Sequence, residues 1–189
     1  MRSQSYVIQT ERLGLRTWQE EDVEPFSQMN ADPEVMKFFP RLLTRSETED
    51  FITAIGNHFQ AKGFGLYAVE EIASSGFVGF VGLYTATFES QFTPCVEVGW
   101  RLRRQYWGKG YATEGALACL EKGFEEFSLR EIFSFTSAIN GRSVAVMNRI
   151  GLRHRMDFSH PRIDPQSELC KHVLYSLTRA EYQGQKNGQ

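Results

Sequence analysis

Arg103-Arg104-Gln105-Tyr106-Trp107-Gly108-Lys109-Gly110-Tyr111-Ala112-Thr113-Glu114 is the stretch on which the fold turns. Upstream of it runs Val96-Glu97-Val98-Gly99-Trp100-Arg101-Leu102, with apolar side chains at 96, 98, 100 and 102. That period of two is the mark of a strand. Downstream, Ala116, Leu120, Phe124 and Phe127 recur at helical spacing, with Leu117 beside them. A strand therefore feeds a short glycine-bearing loop, and the loop opens a helix. Gly108 and Gly110 let the backbone turn tightly and approach a ligand with no Cβ in the way. The first amides of a helix lack partners inside it, and together with the helix dipole they suit an anion, best a phosphate.

Two familiar phosphate loops are excluded. No Gly-Lys-Ser/Thr follows the second glycine, so the nucleotide P-loop does not fit. The spacing is Gly-x-Gly without a third glycine two residues on, so the dinucleotide fingerprint does not fit either. Two glycines before a helix also make a plain turn, and the glycines alone do not choose between turn and phosphate site.

The chain has 189 residues, 41% hydrophobic and 23% charged, the balance of an ordinary globular domain. The reading is one domain over 1–189, with a core from about 10 to 179 and both termini loose. Twenty-one Lys and Arg against 23 Asp and Glu give a net charge of −2, which argues against a general nucleic-acid binder. The three cysteines, Cys95, Cys119 and Cys170, are odd in number and unpaired in spacing. They read as reduced thiols, with no disulfide framework and no zinc site. No basic start is followed by an apolar run, and no apolar stretch is long enough to span a bilayer. The expectation is a cytoplasmic protein that uses no metal and does not engage a membrane.

In order along the chain, Thr10–Arg16 reads as a first strand and Gln19–Asp22 as an acidic helix start leading to the stripe Val23, Phe26 and Met29. Asp32-Pro33 opens a short helical turn closed by Phe38-Phe39-Pro40. Thr44 offers an N-cap to a helix through Phe51, Ile55 and Phe59, which Lys62-Gly63 closes. Gly65–Glu70 and the mostly apolar Phe77–Tyr84 are strands two and three, joined by a turn at Ala73–Gly76, with the third central. Glu131–Thr136 is a fifth strand, and Asn140-Gly141-Arg142-Ser143 starts a helix ending near Gly151. Leu152–Phe158 and Cys170–Leu177 are two last strands around a polar loop, and residues 180–189 are polar and frayed.

At this point a family resemblance becomes specific. Gln105-Tyr106-Trp107-Gly108-Lys109-Gly110 resembles the Gln/Arg-x-x-Gly-x-Gly/Ala pyrophosphate loop of the GNAT superfamily, the acetyl-CoA-dependent N-acetyltransferases. Asn140-x-x-Ser143-x-x-x-Met147-x-x-x-Gly151-Leu152 resembles that superfamily's fourth motif block. Thr10-Glu11-Arg12-Leu13-x-Leu15-Arg16 and Glu97-Val98-Gly99-Trp100 resemble the RimJ/RimL-like branch that acetylates ribosomal-protein N-termini. The likeness covers about residues 10–179. It implies an α/β (α+β) GNAT fold: a mixed, mostly antiparallel sheet of about seven strands, helices on both faces, splayed between strands 4 and 5. It implies direct transfer of an acetyl group from acetyl-CoA to a primary amine in a ternary complex, by a monomer or homodimer. Cofactor contacts are implied at Val98, Trp100, Leu102, Arg103, Gln105, Gly108, Lys109, Gly110, Tyr111, Ala112, Thr113, Asn140 and Met147. Lys109 and Arg104 would meet the pyrophosphate, and Arg149 the 3′-phosphate, or each is a solvated surface charge.

The chemistry assigns further roles. An ammonium must lose a proton before it attacks, and Glu97 is the candidate base; the alternative is a solvated or ion-paired strand residue near Arg101. An oxyanion wants preorganised N–H donors, and the resemblance implies a backbone amide of this strand near Val98, with Gly99 leaving room or marking a bulge. Family members protonate the leaving thiolate with a Tyr seven residues after the motif Asn, but here that position is Met147. Ser143 is the substitute donor, or else a first-turn serine bonded to its own backbone. Asn140 reaches the pantetheine amide or caps its helix. The resemblance puts the loop near His160 and His154 on the acceptor side, where His160 binds the acceptor or is a structural or solvated residue. The departure at Met147 keeps a second possibility in view, a non-catalytic acyl-CoA-binding module.

Overall fold

The computed structural model describes residues 5–187. Strands β1 (Ile8–Gln9) and β2 (Leu13–Arg16) precede a 3₁₀ turn and helix α1 (Val23–Asn30). Helix α2 (Arg45–Lys62) follows, then β3 (Leu66–Glu71), β4 (Gly76–Ala86) and β5 (Cys95–Leu102). A 3₁₀ turn at Arg104–Tyr106 leads into α3 (Tyr111–Glu125), β6 (Glu131–Ser137), α4 (Gly141–Arg149), β7 (Arg153–Ser159), β8 (Lys171–Thr178) and α5 (Arg179–Asn187). The described strands form one eight-stranded sheet in the order β1-β2-β3-β4-β5-β6-β8-β7. Every neighbouring pair is antiparallel except β5 and β6.

Alternation along each strand divides the core between two faces. Tyr67 and Val69 point with Val81, Leu83, Val98 and Leu102 toward α3 and the end of α4. Leu66, Ala68, Phe77 and Phe80 point to the other face, where Phe26, Met29 and Ile55 of α1 and α2 cover them. Helices thus lie on both faces, and the period of two in β5 places its apolar residues as expected. Phe124 and Leu120 of α3 are 1% exposed, whereas Leu117 is 47% exposed and stands outside the stripe. A side chain the size of Phe124, fully buried, contributes roughly 1.5–3 kcal/mol.

The ends of α2 follow local rules. The Thr44 hydroxyl accepts from the Glu47 amide while the Glu47 carboxylate accepts from the Thr44 amide, and Gly63 closes the helix at φ 77°. Asp32 does open one turn, with the Met36 N–H donating to its carbonyl at 3.0 Å, but no helix propagates from it.

Two expectations about the ends need correction. The N-terminal segment carries β1, and the Tyr6 hydroxyl donates to Glu70 at 2.9 Å. The polar tail forms α5, docked by several contacts: Tyr182 stacks on Phe124 at 4.6 Å, Gln185 donates to the Gly151 carbonyl at 3.0 Å, and Glu181 pairs with Arg155 at 2.6 Å. Gly188 and Gln189 lie outside the described residues. No described helix is long and apolar enough to cross a membrane.

Candidate active site

The loop between β5 and α3 is built around two left-handed glycines, Gly108 at φ 75° and Gly110 at φ 81°. Gly110 is the N-cap of α3 and offers no side chain to it, unlike Thr44 on α2 or Asn140 on α4. The first amide of α3 to find a carbonyl is that of Glu114, which donates to Gly110 at 3.0 Å. Among the described residues, the backbone N–H groups from Gly108 through Thr113 donate to no protein acceptor. Gly108 to Gly110 are exposed to water, but Tyr111 is buried and Ala112 and Thr113 half-buried, and buried amides are rarely left without a partner. A run of open donors at a helix N-terminus is the arrangement that takes a phosphate or diphosphate.

The loop is braced rather than slack. The Trp107 indole donates to the Leu102 carbonyl at 2.8 Å, tying the loop to the end of β5. The Arg142 guanidinium lies 4.6 Å over the Trp107 ring, so the start of α4 reaches the same loop. The Arg12 guanidinium donates to the Lys109 carbonyl at 2.9 Å and to the Glu114 carboxylate at 2.7 Å. Tyr111 is 6% exposed and its hydroxyl donates to Glu71, so only its backbone faces the loop. Lys109, half exposed, has its ammonium 3.9 Å from Glu71. Gln105 and Arg104 are exposed, and with Arg103 they line a recess of about 180 Å³ against Met29, Asp32 and Val35.

β5 and β6 meet at one register pair, Glu97 with Phe133. From Val98 to Leu102, β5 has no registered partner on the β6 side, so the two strands part there. The side chains of Val98 and Leu102 are in the core with α3, and Trp100 packs against it. Val98 and Leu102 therefore offer a ligand their backbone, whereas Trp100 is only partly buried. Glu97 projects from the opposite face between Tyr84 and Phe133, its cross-strand partners. It is partly buried and bonds to no described side chain, and desolvation raises its carboxyl to about 8.

On α4 the structure distributes the expected roles differently. Asn140 is 9% exposed. Its Oδ1 accepts from the Ser143 amide at 3.3 Å, and its Nδ2 donates to Thr136 Oγ1 at 3.0 Å and Ser143 Oγ at 3.1 Å. Its backbone N–H and C=O are also engaged, by Ser137 and Val144. Of the two roles read for Asn140, the structure displays the cap. Ser143 Oγ accepts from Asn140, which leaves its own proton free to be given away. Met147 is 1% exposed in the core cluster, where an uncharged thioether is well placed among apolar atoms. Arg149 sits at the far end of α4 from the loop, about 10 Å along the axis from Arg142 at 1.5 Å per residue. Arg142 is the arginine that approaches the loop, and sequence reading passed it over.

The histidines separate as well. His154 is exposed and paired with Asp157 at 2.7 Å. His160 lies against Phe88 at 4.5 Å and His172 at 5.0 Å, within a group that includes Phe133, Phe135 and Phe158. Desolvation, with His172 and Arg162 nearby, lowers His160 to about 4, so it is a neutral member of an aromatic cluster. Cys95, Cys119 and Cys170 are buried free thiols, and no group of three His, Cys, Asp or Glu among the described residues is placed to hold a metal.

Comparison with known proteins adds to this geometry. Residues 12–153 match the family described as the acetyltransferase (GNAT) domain. The FsC-acetyl coenzyme A-N(2)-transacetylase of Aspergillus fumigatus is 34% identical over 183 residues, covering 93% of this chain and 77% of that protein. The crystal structure of a GNAT-family acetyltransferase from Bacillus anthracis superposes with a TM-score of 0.75 at 28% identity, over 92% of this chain and 99% of that one. Spermidine N-acetyltransferase from Vibrio cholerae, solved with CoA and spermine, shares the fold at 16% identity, with a TM-score of 0.73 over 92% of this chain and 99% of that chain. The open amides from Gly108 to Thr113 sit in the loop that leads into α3. A parted sheet with that loop at its edge, and a family match spanning both, place this chain in the GNAT acetyltransferase family, whose members acetylate amines from acetyl-CoA.

Proposed function

We propose that the chain acts as one acetyltransferase domain that acetylates a primary amine, a protein N-terminus or a small amine, and that it belongs to the RimJ/RimL-like branch. The single observation that carries the reading is the run of open amides at the start of α3, set beside strands that part after Glu97. Thr10-Glu11-Arg12-Leu13 and Glu97-Val98-Gly99-Trp100 support the branch. The name of the Aspergillus relative, an N(2)-transacetylase, supports an amine acceptor.

Gly108, Lys109, Gly110, Tyr111, Ala112 and Thr113 would hold the diphosphate through their backbone N–H groups, with Gln105, Arg103 and Arg104 around it. The backbone of Val98, Trp100 and Leu102 would border the pantetheine. Acetyl-CoA supplies an activated acyl group and a thiolate leaving group. Glu97 takes the proton from the acceptor ammonium. Its raised pKa suits it to hold that proton near neutral pH, and its position on the face away from α3 gives it to the acceptor side. The amide near Val98 steadies the developing oxyanion. The Ser143 hydroxyl relays a proton to the departing thiolate and regains one from the substrate nitrogen, which loses a proton as the amide forms, with Asn140 fixing the oxygen.

Titration of purified protein with acetyl-CoA by calorimetry, followed by a CoA-release screen against amines and peptide N-termini, tests this. Binding of acetyl-CoA and amine-dependent release of CoA are the expected results. Absence of both removes the reading.

A further inference from the structure

Glu97, Gly99 and Arg101 stand in a row on one face of β5. At Gly99 an added Cβ would meet nothing within 4 Å, so the space between the two charged residues is open. Arg101 is held in place without being neutralised. Its Nη1 donates to Asn30 Oδ1 at 2.7 Å, and its guanidinium lies 4.0 Å over the Phe39 ring and 5.4 Å from Phe80. No carboxylate among the described residues forms an ion pair with it. Its Nε is sealed from solvent without a partner, and Nη2 donates to no described residue. Surrounding a guanidinium with aromatic rings and leaving it no counter-ion is costly in a fold. It becomes favourable when a ligand supplies the anion, since the guanidinium matches a carboxylate as a fork.

We infer that Arg101 binds a carboxylate carried by the amine acceptor, at the far end of an open floor over Gly99 from the base Glu97. The inference rests on the acetyl-transfer reading and narrows its substrate class. Four residues of strand put about 13 Å between the Cα atoms of Glu97 and Arg101, and side chains leaning inward shorten that span. An acceptor that bridges them carries its nucleophilic nitrogen and its carboxylate several bonds apart. Amino acids with a side-chain amine fit, and so do N-terminal peptides with an acidic second residue. A polyamine would bring a second cation to Arg101 and be repelled.

The test compares matched acceptors that differ only in the carboxylate: ornithine against putrescine, and alanyl-aspartate amide against alanyl-asparagine amide. Initial CoA release gives kcat/KM for each. The expected result is a preference of tenfold or more for the carboxylate in at least one pair. Arg101→Gln collapses that preference toward one, and Arg101→Lys keeps part of it, with melting temperatures confirming that both variants fold. Calorimetry with acetyl-CoA gives the same affinity in wild type and both variants if the anion belongs to the acceptor. A preference near one in both pairs overturns the inference and leaves the acetyltransferase reading intact. So does an Arg101→Gln variant that weakens acetyl-CoA binding while keeping the preference, because the anion would then be a CoA phosphate. Release of CoA with none of the amines, and no binding of acetyl-CoA, overturns both.

Discussion

Arg12 and Glu114, 102 residues apart in the chain, hold each other by three contacts: the Arg12 backbone N–H to Oε1 at 2.9 Å, Nε to Oε2 at 2.7 Å, and Nη2 to Oε2 at 2.6 Å. The same guanidinium donates to the Lys109 carbonyl. Thr10 adds a bond to Glu114 at 2.6 Å. The segment that opens the sheet thereby fixes the first turn of α3. Burial pushes the Glu114 carboxyl up, but the bonds from Thr10 and Arg12 outweigh it and hold it below the ordinary range. A free carboxylate in that turn would repel a diphosphate; a carboxylate clamped by an arginine repels it less.

Arg12→Ala is therefore expected to weaken acetyl-CoA binding by tenfold or more, measured by calorimetry. The Arg12 side chain is 44% exposed, so the loss of stability should stay near the roughly 1 kcal/mol typical of single substitutions. A variant that melts much earlier but binds acetyl-CoA like wild type would show that the contact serves the fold alone.

Glu97→Gln should lower kcat/KM by on the order of 10²-fold or more. A base must be ionised to work, so wild-type activity rises with pH toward the raised carboxyl value of about 8, and the variant loses that acidic limb. Stability moves the other way. An unfolded glutamate ionises near pH 4.3, so between there and about 8 the fold holds a proton that the unfolded chain has released. Wild type should lose stability across that window as pH rises, and Glu97→Gln should not. Denaturant melts at pH 5 and pH 9 check this; a parallel fall in both proteins would rule out a desolvated Glu97.

Gly99→Val should raise the acceptor KM while leaving the melting temperature close to wild type. Gly99 has no left-handed φ, and the space beside it is open. Valine also suits a strand. An unchanged acceptor KM would mean that substrate does not cross this floor.

Ser143→Ala is expected to reduce kcat by on the order of 10²-fold with acetyl-CoA affinity retained. Met147→Tyr, which installs the residue type that the family resemblance implies there, should not rescue it. Met147 is 1% exposed, so a tyrosine there crowds the core, at a cost of about 1–3 kcal/mol, and points its hydroxyl away from the slot. Stopped-flow CoA release on the double variant decides the matter; full rescue would show that the helix can turn this position outward.

What the sequence disclosed depended on how local the cause was. Thr44 with Glu47 and Gly63 marked both ends of α2, because a cap is settled within four residues. The alternation in β5 put Glu97 on the right face for the same reason. Gly108 and Gly110 announced the loop, yet the left-handed φ of Gly110 was not legible. At φ 81° a valine there strains the backbone, whatever it does to a ligand. Gly110 is thus a poor probe of binding alone. Arg142 over Trp107 and the Arg12–Glu114 clamp bring together distant segments, and no pattern of spacing encodes them. Asn140 carried two readings because the same amide serves a cap or a ligand, and only its neighbours Thr136 and Ser143 show how it is used.

The lone rung between Glu97 and Phe133 makes the sheet two antiparallel ribbons, β1 to β5 and β6-β8-β7, joined at a seam. Zipping that seam further would add backbone bonds and tighten the molecule, and on the proposed function it would erase the cleft in which the coenzyme's arm would lie. Stability and catalysis thus make opposite demands on the same few peptide groups. A version of this protein selected only for heat resistance would be drawn toward a continuous sheet that no longer turns over.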